Sequence, residues 1–83
     1  MSSYYTIRVN KTIIKENIIQ YFLDFKDKAY LLQTIKDHKT NKWYLYINEI
    51  LSIYSSESDE CVKSYIRILN DSYNIIDYKI EFV

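Results

Sequence analysis

Residues Lys42–Tyr54 read KWYLYINEILSIY and hold the chain's only tryptophan and three of its ten tyrosines. Trp43, Leu45 and Ile47 alternate there with Tyr44 and Tyr46. Successive side chains on a strand point to opposite faces, so this period of two is that of a half-buried strand. One row then faces a core, and the other presents tyrosines on the far side of the sheet. Ile47, Ile50, Leu51 and Tyr54 also fit a helical stripe, and Asn48-Glu49 alternatively reads as a turn into another short strand. Extended structure with a bulge or bend near Asn48-Glu49 is the favoured reading.

Working outward, Ala29–Lys36 is ambiguous. Leu31, Leu32 and Ile35 suit a helix, whereas Tyr30, Leu32 and Thr34 alternate. A strand is favoured, because Asp37-His38-Lys39-Thr40-Asn41 looks like a hairpin connection into Trp43. Upstream, Tyr5, Ile7 and Val9 alternate with Tyr4, Thr6 and Arg8 as a first strand over Ser3–Asn10. Ile14, Ile18, Tyr21, Phe22 and Phe25 recur at helical spacing, predicting a helix capped by Asn10 or Thr12 and ending near Phe25. Downstream, Ser55–Ser58 is a polar break. A second helix follows, capped by Ser56 or Ser58, with Asp59 and Glu60 in its first turn, where the helix dipole favours negative charge. Its apolar stripe is Cys61, Val62, Tyr65, Ile66 and Leu69, and Asn70-Asp71 closes it. Asn74–Val83 reads as a last strand, with Ile76, Tyr78, Ile80 and Phe82 in one row and Asp77, Lys79 and Glu81 in the other.

This order of elements resembles the α+β, ferredoxin-like βαββαβ plan, an antiparallel sheet with two helices on one face. The resemblance implies central first and third strands and one open sheet face. Tyr5, Ile7, Val9, Trp43, Leu45, Ile47, Ile76, Tyr78, Ile80 and Phe82 are then expected to be buried. Tyr4, Thr6, Arg8, Tyr44, Tyr46, Asp77, Lys79 and Glu81 are expected to line the open face.

The totals narrow the function. Eighty-three residues suffice for a single domain, residues 1–83. Eleven basic and eleven acidic residues cancel, which argues against a dedicated duplex-DNA binder and against an acidic DNA mimic. One cysteine allows no internal disulfide and fits a reducing cytoplasm. The segment MSSYYTIRVNK has no apolar signal core, and no run approaches the ~20 apolar residues of a membrane span. Asn10-Lys11-Thr12 and Asn70-Asp71-Ser72 match the glycosylation sequon by chance on this reading. Glycine and proline are both absent, in keeping with the codon bias of an AT-rich genome. Turns must then be built on Asn and Asp.

No catalytic, cofactor or metal site is expected. One His and one Cys in different elements cannot form a structural zinc site. Asp24, Asp27 and Asp37 lack calcium-loop spacing. A Cys61–His38 nucleophile pair has no orienting group, and Cys61 lies on an apolar stripe. The Lys36–Lys42 loop, with Lys36, Lys39, Lys42 and Asp37, carries about +2 and reads as a solvated hairpin tip. Glu57, Asp59 and Glu60 form an acidic cluster that either meets a basic partner or serves the helix dipole. Tyr4, Arg8, Tyr44 and Tyr46 form an aromatic face with three readings: strand-favoured filling, protein docking, or base stacking.

In size, AT-rich composition and lack of catalytic motifs, the chain is similar to small phage-encoded inhibitors of bacterial immunity, of the anti-CRISPR type. That resemblance implies a non-enzymatic protein in the host-cell cytoplasm that binds a larger protein or ribonucleoprotein complex. Tyr4, Arg8, Tyr44, Tyr46, Glu57, Asp59 and Glu60 are the candidate partner-binding residues. A single-stranded nucleic-acid-binding module is the alternative. A homodimer is allowed, and no membrane partner is expected.

Overall fold

The computed structural model describes residues 3–47 and 51–83. The elements are β1 (Tyr5–Ile14), β2 (Ile18–Phe25), β3 (Lys28–Lys36), β4 (Trp43–Ile47), β5 (Leu51–Ser55), α1 (Ser58–Ser72) and β6 (Tyr78–Phe82). The six strands form one mixed, half-barrel sheet in the order β5-β4-β3-β2-β1-β6. β1 to β5 are an antiparallel meander. α1 then crosses the sheet and returns the chain as β6, parallel to β1.

The expected ferredoxin-like βαββαβ plan is therefore wrong. Residues assigned to a first helix form the end of β1 and all of β2, and α1 is the single helix among the described residues. Two templates competed for the same side chains. Ile19, Tyr21, Leu23 and Phe25 alternate as well as Ile14, Ile18, Tyr21, Phe22 and Phe25 follow a helical stripe. The β-branched Ile13, Ile14, Ile18 and Ile19 favour the strand, and Lys15-Glu16-Asn17 makes the hairpin bend, closed by the Lys15 amide donating to the Ile18 carbonyl at 2.9 Å. The next turn is disguised too. Lys26 and Asp27 both take positive φ, 50° and 63°, as a two-residue hairpin turn requires. That turn usually announces itself with Asn-Gly, and this chain has no glycine. The stretch 48–50, where a bend was expected, lies outside the described residues.

The remaining elements follow their residues. Ala29–Lys36 is a strand. Glu57 stands at the N-cap of α1 without a side-chain cap bond, so the capping role assigned to Ser56 or Ser58 is not used, and Asp59 and Glu60 occupy the first turn. It runs past Asn70-Asp71 to Ser72, and Asn74, at φ 58°, takes the left-handed position beyond its end. The last strand starts only at Tyr78, which leaves Ile76 outside the sheet and 88% exposed rather than buried.

The inner face of the sheet holds the core. Ile7, Val9, Tyr21, Leu23, Phe25, Leu32 and Leu45 pack with Cys61, Val62, Tyr65, Ile66 and Leu69 of α1. Tyr5, Trp43, Ile47, Tyr78, Ile80 and Phe82, all expected in this row, pack half-buried at its margin.

Candidate binding face

Cross-strand register sorts the outer face into rows. Ile18 pairs with Ile35, Ile35 with Tyr44, and Tyr44 with Tyr54. The result is an unbroken apolar and aromatic row across β2, β3, β4 and β5. Beside it runs a row of Gln20, Gln33, Tyr46 and Ser52, and beyond that the pair Phe22–Leu31. Tyr54 is 62% exposed and Leu31 63%. The Tyr44 and Tyr54 rings lie 5.9 Å apart, and the Lys42 ammonium sits 5.0 Å from the Tyr54 ring centre. An antiparallel sheet with one face in water normally alternates hydrophobic-in with polar-out. Here Ile18, Phe22, Leu31, Ile35, Tyr44 and Tyr46 stand among the polar Gln20, Asp24 and Gln33 on the outward side of β2, β3 and β4.

The candidate residues are not all together. Tyr44 and Tyr46 lie on this face, but β2 and β3 separate them from β1. Three strand steps are about 14 Å, so Tyr4 and Arg8 are not on a strand adjacent to those tyrosines, as the overturned plan required. Arg8 instead faces Glu81 at 3.6 Å. Ile18, Phe22, Ile35 and Tyr54 were absent from the candidates. Ile18 and Phe22 had been placed on a helix, and their alternation with Ile19, Tyr21 and Leu23 was the signal that could have found them.

The acidic candidates lie at the start of α1, on the other side of the sheet. A bulge between Lys11 and Ile13 follows the Lys11–Tyr21 pair, and Lys11 reaches Asp59 Oδ2 at 3.1 Å. The Tyr21 hydroxyl donates to Asp59 Oδ1 at 2.7 Å and is also bonded to the Ser58 hydroxyl, which in turn meets Thr34. The Thr34 hydroxyl donates to the Ile19 carbonyl at 3.2 Å, so Ser58, between Tyr21 and Thr34, has one proton to share with the two. Burial pushes the Tyr21 phenol well above its ordinary value, with Asp59 adding to the rise. Glu60 pairs with Lys63 at 3.1 Å, while Glu57 is exposed. An open cleft of about 250 Å³ beside this cluster is lined by Ile19, Trp43, Ser56, Glu57, Ser58 and Asp59. Asp59 is already held by two partners, so the cluster fastens α1 to β1, β2 and β3 rather than offering a free base.

Cys61 is buried, its thiol raised by that burial, and it donates to the Trp43 carbonyl at 3.4 Å. His38 is instead 3.5 Å from Asn17. Among the described residues no group of His, Cys, Asp and Glu could hold a metal ion, and no helix is long and apolar enough to cross a membrane. No protein-family model, curated protein or solved structure matches the chain.

Proposed function

We propose that this chain is a small, non-enzymatic interaction protein that docks a larger macromolecular partner on the outer face of its sheet and modulates or inhibits it. The observation that carries this reading is the continuous Ile18–Ile35–Tyr44–Tyr54 row where a solvated sheet face should be polar. Tyrosine is a favoured interface anchor because it buries a large rigid area at little entropic cost. The likeness in size and composition to phage inhibitors of bacterial immunity supports a host defence complex as the partner, met in the host cytoplasm. A single, buried cysteine is compatible with that reducing compartment.

The test is a tagged pull-down from bacterial lysate, with and without nuclease, comparing the parent chain with Tyr44→Ala/Tyr46→Ala. A stoichiometric protein that survives nuclease and is lost with the folded double variant is the expected result. Equal capture by both chains would remove this face from the function. A second reading draws on Lys42 beside Tyr54: aromatics flanked by a cation are how single-stranded nucleic acid is held. It predicts oligonucleotide affinity falling steeply with salt. Zero net charge weighs against it.

A further inference from the structure

The sheet has two edges, and they are built differently. Edge β6 reads YKIEF. Its Lys79 and Glu81 pair at 3.3 Å, and Glu81 also faces Arg8. Charge of that kind is how natural edges discourage pairing with another chain. Edge β5 reads LSIYS, with no charge and no proline. Among the described residues nothing pairs with its free side. Its apolar surroundings extend above the sheet. Cys61 marks the flank of α1 that faces β4, and Ile68, two helical turns further on, lies on that same flank and is 48% exposed. Lys63, over the Phe82 ring at 5.9 Å, marks the opposite flank.

We infer that β5 is a homodimerisation edge, pairing antiparallel with β5 of a second copy about a two-fold axis at Ile53. No like charges meet in that register, because LSIYS carries none. Ile53 meets itself, and Ser52 lies opposite the partner copy's Tyr54, on the outer face. The contact is isologous, as a closed dimer demands. It joins the Tyr44–Tyr54 row to the Ser52–Tyr46 row of the other copy, leaving the outer face open and doubled. Five paired residues a side, flanked by Ile68 of α1, make less than the ~800 Å² per partner of a standard interface, so the dimer forms with rising concentration. The inference does not rest on the partner-docking reading, because it uses the edge rather than the face.

Sedimentation equilibrium from micromolar to millimolar chain tests it, with circular dichroism confirming each fold. The parent chain passes from monomer to dimer. Ser52→Lys/Tyr54→Lys sets lysines directly opposite each other twice across the axis and stays monomeric throughout. Ser52→Lys/Tyr54→Glu sets opposite charges in the same places and restores the dimer. Both substituted positions are exposed, so both variants keep the fold. A parent chain monomeric at every concentration, a dimeric Lys/Lys variant, or a folded Lys/Glu variant that stays monomeric would each overturn the proposal.

Discussion

The two faces of this sheet are made by the same strands and differ in what closes them. On the inner face, Val9, Leu23, Leu32 and Leu45 belong to one buried core with Cys61, Val62 and Ile66 of α1. On the outer face, Ile18, Phe22, Leu31, Ile35 and three tyrosines stand among Gln20, Asp24, Gln33 and Ser52, and no described element covers them. Hydrophobicity alone does not distinguish the faces. Coverage does, because tyrosines stand on both: Tyr5, Tyr21, Tyr30, Tyr65 and Tyr78 belong to the covered core, and Tyr44, Tyr46 and Tyr54 to the open side. An amphipathic ring tolerates water until something displaces it. That difference supports reading the inner face as a fold determinant and the outer as a docking surface.

The largest effect would come from crossing between faces on neighbouring positions of β4. Leu45→Ala removes a fully buried side chain and is expected to cost about 2–5 kcal/mol. Tyr46→Ala, one residue away on the open side, is expected to cost below about 1 kcal/mol, on the scale of a cross-strand pair. Urea unfolding of both variants measures the contrast. Equal costs would show that the outer face also serves stability and would weaken the docking reading.

This contrast also shows what could be read from the chain. The alternation in Tyr5–Val9 and Trp43–Ile47 assigned each side chain to its correct face, and the helical stripe of Cys61, Val62, Tyr65, Ile66 and Leu69 was plain, because its polar partners filled the opposite side. Asn10–Phe25 misled because β2 also carries apolar Ile18 and Phe22 on its outward face. Apolar residues added to the second row blur the period of two and create accidental matches to a helix. The same property that hid β2 makes the outer face a candidate site. The Lys26-Asp27 turn would have exposed the error had it carried Asn-Gly. Neighbours across the sheet, such as Ile35 beside Tyr44, depend on strand order, which no local pattern reports.

A smaller effect sharpens the inner side. Tyr21→Phe keeps the ring but breaks the path from Ser58 to Asp59, at an expected cost of about 1–3 kcal/mol for stranding buried partners. The sign with pH is set by burial, which holds the Tyr21 phenol above the ordinary 10.0. The unfolded chain therefore loses this proton first. The native state's advantage is whole below that value and declines as pH rises above it. Stability measured from neutral pH to beyond 10 should fall more steeply in the parent chain than in Tyr21→Phe, so the gap between them narrows. A constant gap would mean that Tyr21 ionises as freely folded as unfolded.

The smallest effect belongs to the open side. Lys42 lies over Tyr54 at the end of the aromatic row, an exposed cation–π contact worth roughly 0.5–1 kcal/mol. A double-mutant cycle of Lys42→Ala and Tyr54→Ala isolates it from whatever else each side chain does. Coupling in that range would mean the free protein already holds the Tyr54 ring in place, so that a docking partner meets a preorganised surface. Zero coupling would mean that the ring is ordered only on binding, and the cost of ordering it would be taken from the affinity. The two outcomes separate a face shaped in advance from one shaped by its partner, a distinction the buried side, held on both surfaces, never faces.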